Sequence, residues 1–219
     1  MDRHLLKRGD ELPDFSEGVL ERTFRNIYIV IMTRPKTFDV DAALDAAIGI
    51  FREHGFEGTS AQMLVDAMGI GRQSLYDTFG DKWQLYQQAL RRYVITEVQA
   101  HRAALTSGLR AIDGIRAIVE RVVREAAIPC LGVGSIAEFG CSRPELAEIN
   151  AAANRALRTA MIERLRAAQA EGDIAEALDL DPVATFLIAS FAGIRIAGRS
   201  GARPKELGSL GEMVLRALR

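Results

Sequence analysis

The stretch Thr59–Lys82 reads TSAQMLVDAMGIGRQSLYDTFGDK, and the rest of the chain is best understood outward from it. Thr59-Ser60-Ala61-Gln62 has the form of a capping box, in which the Thr59 hydroxyl accepts from the backbone three residues on and Gln62 reaches back. A helix then runs to about Ala67, Met68-Gly69-Ile70 breaks it, and Gly71 to Phe79 supplies a second, very short helix. Glycine at the turn permits a positive φ without Cβ strain. Leu64, Met68, Ile70 and Leu75 can pack the two helices together, while Leu75 and Phe79 bury the short one and leave Arg72, Gln73, Ser74 and Tyr76 outward. These are the parts of a helix-turn-helix.

Upstream, Val40, Ala43, Leu44, Ala47, Ile48 and Phe51 fall at i, i+3, i+4, i+7, i+8 and i+11, the apolar stripe of a helix that Gly55 ends. Downstream, Asp81 is a good N-cap for a further helix carrying Leu85, Tyr86, Ala89, Leu90 and Tyr93. The second half is built of longer Ala- and Arg-rich periodic segments: Ile112 to Ala127, Leu131 to Phe139 after Pro129, and a long run opened by a capping box at Ser142-Arg143-Pro144-Glu145 and reaching about Ala170. Asp181-Pro182 reads as an N-cap and first helical position for Val183 to Ala197, a segment apolar nearly all round and therefore expected to be buried. Pro204 to Leu218 closes the chain. With no strand pattern, the fold class is all-α, a small N-terminal helix-turn-helix domain over residues 32–96 and a larger helical bundle over 97–219. Residues 1–31 are charged and irregular and fit neither; either they precede a physiological start at Met32 or they form an arm.

The 219 residues are 48% hydrophobic and 26% charged, with 28 basic against 29 acidic side chains. A near-neutral chain without a block of basic residues does not hold nucleic acid by bulk charge. No window has roughly 18 uninterrupted apolar residues, so no membrane partner is expected. The two cysteines, Cys130 and Cys141, are too few for a disulfide framework, and a reducing cytoplasm is the natural location. If one helix carried both they would lie about 16 Å apart, out of bonding reach.

Any nucleic-acid binding is therefore local, and the short helix has the chemistry for it. Arg72 can donate two hydrogen bonds to guanine O6 and N7, and Gln73 can pair with adenine N6 and N7. Thr59, Ser60, Tyr76 and Lys82 sit at helix beginnings or on the rim, where hydroxyls, backbone N–H groups and an ammonium suit phosphates. Over residues 39–90 the acids at 39, 41, 45, 53, 57, 66, 77 and 81 outnumber the bases at 52, 72 and 82, a net of −5. Binding then rests on geometry and on Arg72 and Lys82, with Arg34 and Lys36 as further candidates.

Gly55-Phe56-Glu57-Gly58-Thr59-Ser60, Met68 to Tyr76, Phe79-Gly80-Asp81-Lys82 and Leu85-Tyr86 together resemble the TetR family of one-component transcriptional regulators, over about 60 residues from Pro35 to Val94. The resemblance implies double-stranded operator DNA as partner. It places the family's helix-start threonine on Thr59, its groove-facing residues on Gly71, Arg72, Gln73 and Ser74, its phosphate-contacting tyrosine on Tyr76 and its lysine on Lys82. Gly71 stands where a serine N-cap is common and Gln73 where a small residue is common, so base preference does not transfer.

The function expected is that of a ligand-released repressor that binds a palindromic operator as a homodimer, with the last two helices as the dimer interface. The effector expected is a small organic molecule in an apolar cavity among residues 100–180, oriented by Glu138, Asn150, Asn154 and Arg155. Two alternatives use the same chain. Relatives resembling the Pro129-Cys130-Leu131 neighbourhood sense electrophiles or metals, which makes Cys130 a candidate sensor, and a helical adaptor without DNA binding is the other. No catalytic constellation, cofactor motif or metal-ligand spacing is present: Gly69-Ile70-Gly71 lacks the third glycine and the preceding strand of a dinucleotide site, and His4, His54 and His101 lie far apart. His54, before Gly55, suits a helix C-terminus.

Overall fold

The computed structural model describes residues 38–219, so the reading of residues 1–31 and the candidates Arg34 and Lys36 fall outside the described part. Nine helices occur among the described residues: α1 Val40–His54, α2 Ala61–Met68, α3 Arg72–Phe79, α4 Lys82–Leu105, α5 Ala111–Arg124, α6 Leu131–Phe139, α7 Pro144–Ala170, α8 Leu180–Arg199 and α9 Pro204–Arg216. There is no strand among them. The all-α class follows from the 3.6-residue apolar spacing in each segment.

α1 buries Ala43, Ala47, Ile48 and Phe51, the expected stripe, and carries His54 in its last turn. Gly55 follows with φ +70°. α2 ends on Gly69, whose φ of +64° is the left-handed conformation the turn needs. Leu64, Met68, Ile70, Leu75 and Phe79 are all buried, so α2 and α3 are seated on the apolar contacts anticipated for them. Asp81 caps α4: its carboxylate accepts from the Gln84 N–H at 2.7 Å, and Gln84 accepts from the Asp81 N–H at 3.3 Å.

Three helix starts differ from the expected positions. The cap of α2 is Ser60, whose hydroxyl accepts from Met63 N–H at 3.2 Å, while Thr59 Oγ1 donates to the Gly55 carbonyl at 2.6 Å and Gln62 bonds to Asp66 instead of reaching back. Thr59 is turned inward, with only 2% of the residue exposed and its hydroxyl bonded to the turn that closes α1. No capping box forms at Ser142: Arg143 precedes α7 without a side-chain cap, and Pro144 at the first turn has no N–H to cap. α8 starts at Leu180, two residues early, because Asp179 accepts from the Asp181 N–H; Asp181 itself pairs with Arg158 of α7.

α5, α7, α8 and α9 enclose one core that includes Ile115, Ile118, Val122, Leu157, Met161, Leu165, Leu187 and Ile194. Gly198 of α8 lies so close to the turn after α5 that a Cβ would come within 2.5 Å of the Ala126 backbone, which fixes glycine there. α8 is long and apolar enough by length and composition to cross a membrane, yet one face is packed in this core. The expectation that it is buried all round is corrected: Phe186 is 48% and Ile196 57% exposed, and Leu210 and Met213 of α9 are exposed apolar residues as well. α4 runs unbroken through residue 96 and joins the helix-turn-helix to the bundle, and Val40–Arg219 packs as one unit.

Candidate functional site

The exposed start of α3 is the first part of the site. Gly71 is its N-cap with extended dihedrals and no side-chain cap, so the first N–H groups of α3 have no capping side chain. Gly71, Arg72 and Gln73 are exposed, Ser74 is half-buried and Tyr76 is 41% exposed, all on a helix held from behind by Leu75 at 1%. Gln73 donates to Asp77 one turn on at 2.8 Å. Arg72 has no ion-pair partner among the described residues. The structure thus brings Gly71 to Tyr76 together on one presented surface, with Ser60 exposed at the neighbouring helix start.

Thr59 and Lys82 are placed differently. Thr59 is buried, and its hydroxyl is used inside the chain. Lys82 donates from Nζ to the carbonyls of Phe56 and Thr59, each at 2.9 Å, and its ammonium lies 4.2 Å from the centre of the Phe56 ring. It therefore anchors the loop before α2 to the start of α4. An ammonium has three N–H donors, so one remains for a phosphate.

That same loop is held from its other side by Glu138 of α6, whose carboxylate accepts from Phe56 N–H at 2.9 Å and Glu57 N–H at 2.8 Å. Phe139 beside it packs edge-on against Phe56 and Trp83, in a cluster completed by Tyr86. Burial pushes the Tyr86 phenol up to about 12, and its hydroxyl has no hydrogen-bond partner among the described residues. A second tie is Arg52 of α1, which donates from Nε to the Pro129 carbonyl at 2.8 Å just before α6. α4 is fastened to α1 by Arg92, which bonds Asp41 at 2.8 Å and Asp45 at 2.6 Å.

The opposite half of α6 borders a cavity of about 180 Å³ between α4, α6, α7 and α8. Its apolar wall includes Val94, Val98, Val133, Leu157, Ile188 and Phe191, and its polar residues are Tyr93, Glu97, His101, Cys130, Asn150, Asn154 and Arg195. Of the expected effector residues, Asn150 and Asn154 are in this wall. Glu138 is not, because its carboxylate is engaged by the loop, and Arg155 points outward from α7. Cys130 is half-buried at the cavity edge and Cys141 exposed, both as free thiols.

Sequence reasoning missed the polar centre of this cavity. Glu97 is bonded by Arg121 at 2.7 Å and by Arg195 at 2.8 Å. Burial pushes its carboxyl up, but those two guanidiniums outweigh it and hold the group below its ordinary value. Arg121 also approaches His101 Nδ1 at 3.1 Å. An arginine can only donate, so Nδ1 accepts and the imidazole proton is assigned to Nε2. Burial, helped by the two arginines, lowers His101 to about 4, and the ring is neutral. The signal was the spacing: Tyr93, Glu97 and His101 recur every four residues on the buried face of α4.

A helix-turn-helix that presents a polar helix start, carried on a helical body, is the arrangement of a DNA-binding transcriptional regulator. Residues 43–89 match the family described as bacterial regulatory proteins, tetR family. The chain is 32% identical over 166 residues to the uncharacterized HTH-type transcriptional regulator YezE of Bacillus subtilis, covering 71% of this chain and 84% of that one. It is 28% identical over 193 residues to the HTH-type transcriptional repressor ComR of Escherichia coli, covering 84% and 90%. Among solved structures, the TetR family transcriptional regulator CifR, as a cysteine mutant complexed with 26-base-pair operator DNA, aligns with TM-score 0.74 at 28% identity over 85% of this chain and all of that one. This chain belongs to the TetR family.

Proposed function

We propose that the protein is a non-enzymatic repressor acting in the cytoplasm, which binds a palindromic operator as a homodimer and leaves it when a small organic effector enters the cavity beside α6. The observation that carries the reading is α6 itself: nine residues long, it borders the cavity at Gly132, Val133 and Ile136, with Cys130 just ahead of it, and clamps the loop before α2 through Glu138. A ligand that displaces the first end must move or break the second.

On DNA, Arg72, Gln73 and Ser74 face base edges, Gly71 gives close approach, and Ser60, Tyr76 and the remaining Lys82 N–H meet phosphates. Thr59 supports this surface from inside. The uncovered apolar face of α8 and α9, with Phe186, Ile196, Leu210 and Met213, is the dimer interface. Residues 32–96 serve as the reading domain and 97–219 as the controlling one, sharing α4.

Selecting bound duplexes from random DNA tests this. A palindrome is expected, and Arg72→Ala should lower affinity for it by about 5- to 100-fold. Failure to enrich any sequence would favour an adaptor without DNA binding. Cys130 borders the cavity, which supports thiol sensing as a second reading; operator release by an electrophile that survives Cys130→Ser removes it.

A further inference from the structure

Beside the cavity lies a cleft of about 320 Å³ lined by Arg52 of α1, Pro129, Cys130 and Val133 at the start of α6, and Arg195 and Arg199 of α8. Cys130, Val133 and Arg195 form the wall common to both. Three guanidiniums and no carboxylate line this cleft. Glu97 is the one carboxylate in the cavity lining, and Arg121 and Arg195 already bond it. Arg52 spends Nε on the Pro129 carbonyl and lies 5.2 Å over the Tyr93 ring, with no carboxylate in ion-pair reach among the described residues. Arg199 meets Glu53 only at 3.6 Å, both about half exposed, which makes a weak pair.

We infer that this cleft takes the acid group of an organic anion whose apolar body fills the adjoining cavity. The inference rests on the effector reading and names the ligand's chemical class. Planar guanidiniums suit a carboxylate through paired N–H donors, and Arg52 and Arg199 have donors to give. A cation meets three like charges, and a neutral apolar molecule gains nothing from the cleft. The position also explains how the anion is read: Arg52 and Glu53 belong to the last turn of α1, so an acid group there draws on both the Arg52–Pro129 tie and the Arg199–Glu53 pair that connect the reading head to α6 and α8.

Titration calorimetry of the full chain with octanoate, 1-octanol, octylammonium and inorganic phosphate tests it. Octanoate should bind at least about tenfold more tightly than each of the others. Arg199→Gln and Arg52→Gln should each weaken octanoate by about fivefold or more and leave octanol unchanged. Glu53→Gln, which frees Arg199, should tighten octanoate by about two- to fivefold, a gain that general damage to the fold does not produce. Octanol equal to octanoate, no octanoate binding, or unchanged octanoate affinity in both arginine variants overturns the inference. Phosphate equal to octanoate overturns it too, by making the cleft a site for free anions. Octanoate that binds as expected while the operator complex persists leaves the anion site standing and sinks the release reading.

Discussion

Glu138 exemplifies what single residues do in this protein. On sequence it is a carboxylate in an apolar region, and an effector contact is a reasonable expectation; in the fold it accepts two backbone N–H bonds from the loop that leads into α2. Its partners lie more than eighty residues earlier, a separation that no periodicity reveals. Lys82 was legible as a position, while its two bonds to carbonyls of that same loop were not. The exposure of Arg72, Gln73 and Tyr76 was legible because it follows, on a short helix, from the burial of Leu75 and Phe79. Replacing Glu138 with Ala should cost about 1 kcal/mol in urea unfolding and weaken operator binding by about three- to tenfold, with the effector cavity still able to bind. Undiminished operator affinity in Glu138→Ala would show that the clamp is incidental. His101 supplies a pH dependence. Its folded value of about 4 lies below the ordinary 6.5, so the unfolded chain takes up a proton first as pH falls. Stability is thus full above pH 6.5 and declines towards pH 4, by up to about 3 kcal/mol, while lowered Glu97 adds a loss in the acid range below its ordinary value. Denaturant melts at pH 7.5, 6 and 5 should show the decline in the wild type and a flatter profile in His101→Gln.

Elements were the most legible scale. α6 was bounded correctly after the Pro129 break, and Gly55, Gly172 and Pro204 marked the end of α1, the end of α7 and the start of α9, because glycine and proline punctuate helices for reasons internal to the backbone. Helix starts were less legible, since Thr59 and Ser60, or Asp179 and Asp181, are equally good caps on paper and the choice is made by packing. Gly69 gives an element-scale prediction. Alanine at φ +64° is strained, so Gly69→Ala should cost about 1 kcal/mol and shift α3 relative to α2. The loss of specific operator binding should then exceed the loss of nonspecific binding in a gel shift.

At the scale of the whole molecule, the uncovered face of α8 and α9 could not be separated from core by hydropathy, because an apolar helix looks the same whether its neighbour is its own chain or a second copy. Phe186→Glu should yield a monomer by light scattering at micromolar concentration and abolish operator binding, whereas a dimer that survives the charge rules this face out as the interface. The net of −5 over residues 39–90 bears on the same complex. A plot of log affinity against log salt should be shallow, with a slope of magnitude about 3 to 5 for a dimer making few phosphate contacts, where a strongly basic binder gives about 10.

α4 has a bearing on inheritance and exchange. Lys82 at its first residue holds the loop before α2, and Tyr93, Glu97 and His101 further along it line the cavity, all on one continuous rod of 24 residues. A reading head swapped between two such proteins at residue 96 would therefore carry Tyr93 of the donor's cavity with it and leave Glu97 and His101 behind. Chimaeras should keep their native effector response only when the junction lies ahead of Asp81, so that the whole rod stays with the cavity it lines.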